Sequence, residues 1–84
     1  RNDHYGTPLE NFERIAKLWS CHLEHNISIY DVGVMLMLLK IARSKHDKLH
    51  EDTWVDIAGY AGATAEATFL DEEIKQEMKE YGMD

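Results

Sequence analysis

The sequence lacks several features that stabilise small domains. Cys21 is the only cysteine and Pro8 the only proline among its 84 residues. An intrachain disulfide is therefore impossible, and a domain this small depends on close helix packing, a metal or self-association. The longest apolar run, from Val32 to Leu39, is far shorter than the roughly 20 residues that span a bilayer. We expect no membrane segment and, without a disulfide framework or signal stretch, a cytoplasmic protein.

Basic residues are also scarce, and they are unevenly placed. The formal charge is −7, with seven bases against six acids in residues 1–50 and two bases against ten acids in residues 51–84. Affinity for nucleic acid comes from neutralising phosphates with lysine and arginine, so this balance disfavours DNA or RNA as a partner. A local basic cluster can still hold a small phosphate ligand.

The apolar spacing predicts a single all-α domain over residues 1–84, with three main helices at about 8–24, 28–45 and 51–69. Residues 1–7 show no helical period and begin at Arg1 without a methionine, so we expect a trimmed fragment. Thr7 and Glu10 predict a capping box around Pro8. An apolar stripe then follows helical spacing to about residue 24: Phe12, Ile15, Ala16, Trp19 and Leu23.

Ser28 and Asp31 predict the start of the second helix. Its residues 32–42 are apolar on nearly every face, and two other helices are too few to surround it. We therefore expect another copy of the chain to cover part of it, giving a homo-oligomeric helical bundle.

The third helix is predicted to open at Glu51 or Asp52. The apolar stripe that predicts its buried face comprises Trp54, Ile57, Ala58, Ala61, Ala65 and Phe69. Gly59 and Gly62 lie within it and indicate close approach to a neighbouring helix. Residues 71–84 form a charged helical tail that either continues this helix or stands apart.

Two pairs of carboxylates are candidate ligands for Mg²⁺. Glu10 and Glu13 share one helix face, and Asp52 and Asp56 share another. Carboxylate oxygens suit this hard cation. The alternative is that these acids simply complement the positive ends of the helix dipoles.

Basic side chains gather where the second helix is predicted to end. Lys40 and Arg43 are the candidate phosphate ligands, with Lys45, Lys48, His46 and His50 alongside. A guanidinium grips phosphate with two parallel hydrogen bonds, and lysine adds a point charge. The alternative is that Lys40 and Arg43 form ion pairs with Asp52 and Asp56.

The remaining polar and aromatic residues give weaker signals. Tyr5, outside any helical pattern, and Asn11 are candidates to contact a base or sugar, whereas Trp19 and Trp54 fall on the predicted core stripes. Zinc is disfavoured because no cysteine pair exists. No catalytic residue is identified.

Three stretches together resemble an uncharacterised family of small phage and prophage proteins, over roughly residues 3–66. They are residues 4–12 (HYGTPLENF), 38–43 (LLKIAR) and 50–61 (HEDTWVDIAGYA). The resemblance implies a phage-encoded protein acting inside a bacterial host, and it brings no established activity.

A more distant likeness is to the MazG-like all-α nucleotide pyrophosphohydrolases. Those enzymes hold Mg²⁺ around a triphosphate with a Glu-x-x-Glu on one helix and a Glu-x-x-Asp on the next. Glu10 and Glu13 match the first motif, whereas Asp52 and Asp56 are four residues apart and follow an inserted helix. The likeness implies nucleotide binding more readily than hydrolysis.

Two functions compete on these observations. The first is binding, with or without hydrolysis, of a nucleotide or other phosphate ligand, with Mg²⁺ as the implied cofactor. The second is a non-enzymatic helical module that binds a host or phage protein, with residues 71–84 as a candidate arm.

Overall fold

A computed structural model describes residues 6–82, which form three α-helices. In chain order they are α1 (Pro8–Leu23), α2 (Ile29–Ser44) and α3 (Glu51–Glu80). All three pairs of helices contact each other. The all-α prediction is confirmed, and the charged tail continues α3 as one helix of 30 residues. Within the described range, no helix is long and apolar enough to cross a membrane.

The first two helices begin at the predicted caps. Thr7 Oγ1 accepts a hydrogen bond from the Glu10 amide at 3.1 Å, and the Thr7 amide donates to Glu10 Oε1 at 3.1 Å. Ser28 and Asp31 make the same reciprocal pair at 3.0 Å each. These capping boxes satisfy amides that have no partner within the helix, so both starts follow from local sequence.

The core of the three-helix arrangement is small. It consists of five buried apolar side chains: Leu9, Phe12, Ala16, Val32 and Ala67. Ile15 and Trp19 pack against it, which confirms most of the predicted α1 stripe, although Leu23 is 52% exposed.

Helices α2 and α3 are in tight contact at Gly33. A Cβ at this position would overlap Thr64 Oγ1 and lie 2.6 Å from Thr64 Cγ2. Thr64 is itself buried, and its hydroxyl donates to the Tyr60 carbonyl at 2.6 Å. Gly33 is therefore the residue that lets the two backbones approach.

The predicted buried face of α3 is wrong. Trp54 is 48% and Phe69 is 69% exposed, and the alanines between them on the stripe are exposed as well. The helix instead buries Thr53, Thr64 and Ala67. The expected close approach at Gly59 and Gly62 is also absent from the described chain, since nothing lies within 4 Å of a Cβ at either position.

Much of α2 is likewise uncovered, as its apolar composition predicts for a single chain. Leu38, Leu39 and Ile41 are 56%, 51% and 46% exposed, and Met35 is 39% exposed. Coverage of these side chains by another copy remains a prediction.

Candidate functional site

A cavity of about 260 Å³ lies where α2 ends and α3 begins. Helix α2 contributes Lys40 and Arg43 to it, and Thr53 comes from the first turn of α3. The connection between the helices supplies the other three lining residues: His46, Asp47 and His50. We refer to this space as the junction cavity.

Hydrogen bonds within the connection hold the wall of the junction cavity in place. The His46 amide donates to the Arg43 carbonyl at 3.1 Å, which continues the end of α2 by one turn. Asp47 Oδ1 accepts from the Leu49 amide at 3.2 Å, and the Asp47 carbonyl accepts from the His50 amide at 3.3 Å. Short connections of this kind fix the direction in which the side chains project.

The two predicted phosphate ligands have different partners. Lys40 Nζ lies 3.0 Å from Asp56 Oδ2, with the lysine side chain 24% exposed, so the ion-pair alternative holds for this pair. The ion pairs found between residues 6 and 82 are Lys40–Asp56 and Lys75–Asp71, so Arg43 has no acidic partner there. Of these two residues, Arg43 is the one without a carboxylate within 4 Å among residues 6–82, although Asp47 lines the same cavity.

Two polar side chains complete the site at the start of α3. His50 Nδ1 lies 3.1 Å from Thr53 Oγ1. His50 is the residue that precedes α3, and its side chain does not cap the helix as Thr7 and Ser28 cap α1 and α2. The ring and hydroxyl therefore hydrogen-bond to each other and line the junction cavity.

The four carboxylates predicted to hold Mg²⁺ are not brought together within one chain. Glu13 lines a second cavity that also contains Asp71 of α3. Asp71 lies 15 residues, or about 22 Å, beyond Asp56 along the helix. Helix α1 thus begins beside the later part of α3, away from Asp52 and Asp56.

The individual environments of these acids agree with that separation. Glu10 is committed to the capping box of α1, and Asp56 to the ion pair with Lys40. In the part of the chain that the structure describes, no three residues among His, Cys, Asp and Glu are grouped so that they could hold a metal. The magnesium prediction therefore has no support from the arrangement of a single chain.

Of the two predicted base or sugar ligands, Asn11 does not line the junction cavity. Asn11 is on α1, where its Oδ1 accepts from Arg14 Nη1 at 3.0 Å. Tyr5 lies outside the described residues.

The basic part of the junction cavity could be predicted from the sequence, whereas much of its remainder could not. His46 and His50 lie beside the basic cluster in the sequence, at a helical spacing of four, but nothing in that pattern assigns them to the site. Asp47 and Thr53 carry no sequence signal of their own, because their position depends on how the connection turns. Lys45 and Lys48, although close in sequence, do not line this cavity.

Trp54 does not pack in the core, but it has a defined partner nearby. Its Nε1 donates to the Lys48 carbonyl at 2.8 Å. This bond ties the connection to the first turn of α3 and leaves the indole half exposed at 48%.

The fold and the junction cavity define a small all-helical domain with a basic hollow between two helices. A family model described as "Domain of unknown function (DUF6378)" matches residues 1–68, so the chain belongs to that family. This covers the three helix starts and the junction cavity, and leaves out the last turns of α3.

Two phage proteins are similar to the chain. The Gene 55 protein of Mycobacterium phage D29 is 52% identical over 62 residues, which are 74% of this chain and 41% of the phage protein. The Gene 55 protein of Mycobacterium phage L5 is 51% identical over 63 residues, or 74% of this chain and 40% of the phage protein. The chain thus spans about two fifths of the length of these relatives. No solved structure matches it significantly.

The comparisons confirm the predicted resemblance to an uncharacterised phage family. They do not bear on the likeness to MazG-like enzymes, which stays a prediction.

Proposed function

We propose that this phage-family domain binds a small phosphate-bearing ligand, such as the phosphate end of a nucleotide, in the junction cavity. The observation that carries the proposal is Arg43, a guanidinium without an acidic partner among the described residues, on the wall of a cavity it shares with Lys40. A guanidinium binds phosphate, as it binds a carboxylate, with two parallel hydrogen bonds.

The size of the cavity limits the ligand. Sites for drug-sized molecules usually have about 300–1,000 Å³, and the junction cavity has about 260 Å³. It has room for a phosphate group and part of the attached sugar, and the remainder of a nucleotide would extend over the surface. His46, His50 and Thr53 also line the cavity, and their N–H and O–H groups that are not used in the His50–Thr53 hydrogen bond would donate to the remaining oxygens.

Binding is supported better than hydrolysis. Phosphoryl transfer depends on positioning plus charge stabilisation, usually with metal ions held by carboxylates. No such group of acids forms among residues 6–82, and Asp56 is already paired with Lys40. A MazG-like reaction would require the carboxylates of the two halves to meet, so magnesium enters this proposal only as a condition to be varied in the test.

Isothermal titration calorimetry with inorganic phosphate, AMP, ATP and cyclic dinucleotides, each with and without Mg²⁺, tests the proposal. Arg43→Gln should weaken binding at least about tenfold, because a hydrogen bond to a charged group contributes about 1.5–3 kcal/mol. Lys45→Gln is the matched control, since it removes the same charge two residues away and outside the cavity. Absence of binding by every ligand, or equal loss in both variants, would contradict the assignment.

A second candidate function is a helical module that binds a host or phage protein. The observation that favours it is the exposed apolar surface of α2, with Leu38 and Leu39 both more than half exposed. Large exposed apolar patches mark interaction sites. A partner bound in this way should be lost on Leu38→Glu and retained on Arg43→Gln, whereas a phosphate ligand should show the reverse. Truncation after residue 70 tests whether the acidic end of α3 takes part.

A further inference from the structure

The junction cavity contains two opposite charges that do not neutralise each other at close range. Arg43 and Asp47 both line it, and both residues are exposed. Neither takes part in the ion pairs found between residues 6 and 82, so the charged atoms of the two side chains are more than 4 Å apart. The cavity therefore offers a ligand a cationic hydrogen-bond donor and, separately, an anionic acceptor.

The Asp47 side chain is held in place by the connection and still has an oxygen to spare. Its Oδ1 accepts from the Leu49 amide at 3.2 Å, the pattern of an Asx turn. Its Oδ2 has no hydrogen-bond partner in the described part of the chain. An ionised carboxylate can only accept hydrogen bonds. Asp47 therefore has room for a donor from the ligand, and a phosphate oxygen, which is negative, cannot supply one.

We propose that the ligand of the junction cavity is a phosphorylated sugar, an assignment that rests on the proposed phosphate function. The phosphate lies on Arg43, and a sugar hydroxyl donates to Asp47. The cavity, at about 260 Å³, has room for a phosphate and part of an attached sugar, so one ligand can meet both side chains. A nucleotide and a free sugar phosphate share this chemistry.

The surrounding charges favour a neutral hydroxyl over an ammonium group as the donor to Asp47. Residues 40–50 hold four bases, and Asp47 is their only acid. Two of these bases, Lys45 and Lys48, are within two residues of Asp47. They would repel a positively charged group on the ligand, whereas they do not oppose a hydroxyl and they attract the phosphate. Both ends of a sugar phosphate therefore agree with the local charge.

Isothermal titration calorimetry of the 84-residue chain with four probes tests the hydroxyl contact without changing the protein. The probes are inorganic phosphate, ribose 5-phosphate, AMP and 2′,3′-dideoxy-AMP. Ribose 5-phosphate should bind at least about tenfold more tightly than inorganic phosphate, because it adds a hydrogen bond to a charged group. Dideoxy-AMP should bind about tenfold more weakly than AMP, since it lacks the hydroxyls. Tighter binding of AMP than of ribose 5-phosphate supports a nucleotide as the source, and the reverse order supports a free sugar phosphate.

The variant Asp47→Asn should change the affinities for two of these probes in opposite directions. It keeps an oxygen to accept from the Leu49 amide and replaces the free acceptor with an amide donor. Ribose 5-phosphate should therefore bind about tenfold more weakly. Inorganic phosphate should bind about two- to fivefold more tightly at low salt, because a nearby like charge is removed. Glu51→Gln is the matched control: it removes an exposed acid outside the cavity, and the ratio of the two affinities should be unchanged.

The failure of this assignment can be told apart from the failure of the phosphate site. Equal affinity of the unmodified chain for inorganic phosphate and ribose 5-phosphate would overturn the hydroxyl contact and leave phosphate binding intact. So would an Asp47→Asn variant that weakens both probes by the same factor, since that is the effect of a purely structural role. Absence of binding by all four probes would refute the phosphate site itself, and the sugar phosphate with it.

Discussion

The contact between Gly33 of α2 and Thr64 of α3 makes a strong prediction about stability. An alanine at position 33 would place its Cβ in overlap with Thr64 Oγ1, 2.6 Å from Cγ2 and 2.8 Å from Cβ. Thr64 cannot easily turn away, because it is buried and its hydroxyl is bonded to the Tyr60 carbonyl at 2.6 Å. Gly33→Ala must therefore separate the two helices or break that hydrogen bond.

The net effect follows from two opposing contributions. Replacing glycine by alanine in a helix gains up to about 1 kcal/mol of helix propensity. Overpacking a close contact costs typically ~1–3 kcal/mol, and three atoms within 3 Å at Gly33 place this case at the upper end. We expect Gly33→Ala to lower the free energy of unfolding by about 1–2 kcal/mol, or the melting temperature by roughly 5–15 °C for a domain of this size.

Thermal unfolding followed by circular dichroism measures this effect against an internal control. Gly59→Ala makes the same substitution in α3 where the Cβ meets nothing within 4 Å, so it should stabilise by ~0.5–1 kcal/mol. Both variants must be compared at one protein concentration, because self-association makes the melting temperature depend on concentration.

The reasoning would be refuted by a Gly33→Ala variant as stable as the parent chain. A second check is the double variant Gly33→Ala/Thr64→Ala, which removes two of the three atoms that the new Cβ meets. It should recover part of the loss seen for Gly33→Ala alone. If the two substitutions are simply additive, the contact is not the cause.

Two further predictions concern local contacts. Ser20 Oγ accepts from the Ile27 amide at 2.8 Å and donates to the Ile27 carbonyl at 3.3 Å, so Ser20→Ala should cost about 1–2 kcal/mol in urea unfolding; an unchanged midpoint would contradict this. The pKa of Lys75 is raised above 10.5 by its hydrogen bond to Asp71 and by the charge of that carboxylate. The pair therefore stabilises the folded chain below the ordinary lysine pKa, and this contribution is lost as pH rises through the raised value. Asp71→Asn should lower the pKa of Lys75 in an NMR titration, and no change would refute the assignment.

The helix starts could be predicted because they depend on residues three apart. Thr7 with Glu10, and Ser28 with Asp31, form their capping boxes from neighbouring backbone and side-chain atoms alone. Lys40 and Arg43 are also three residues apart, so the sequence alone predicts that they lie close together at the end of α2.

The junction cavity could be only partly predicted. Lys40 meets Asp56 because two separate helices pack together, and the same packing leaves Arg43 without an acidic partner among residues 6–82. The sequence predicts that Glu13 of α1 and Asp56 of α3 contribute to one metal site. The packing of α1 beside the later part of α3 places the two residues apart. Periodicity contains no information about which part of one helix lies beside which part of another.

The sequence by itself determined the helices of this protein, their caps and the apolar stripe of α1, because these depend on contacts within a few residues. Only the tertiary structure decided which side of α3 is buried. Periodicity favoured the side with Trp54 and Phe69, whereas the chain buries Thr64 against Gly33. The physical reason is that the buried side of a helix depends on which surface of a neighbouring helix it fits: Gly33 of α2 leaves room for Thr64 of α3, and the periodicity of α3 alone contains no information about that fit.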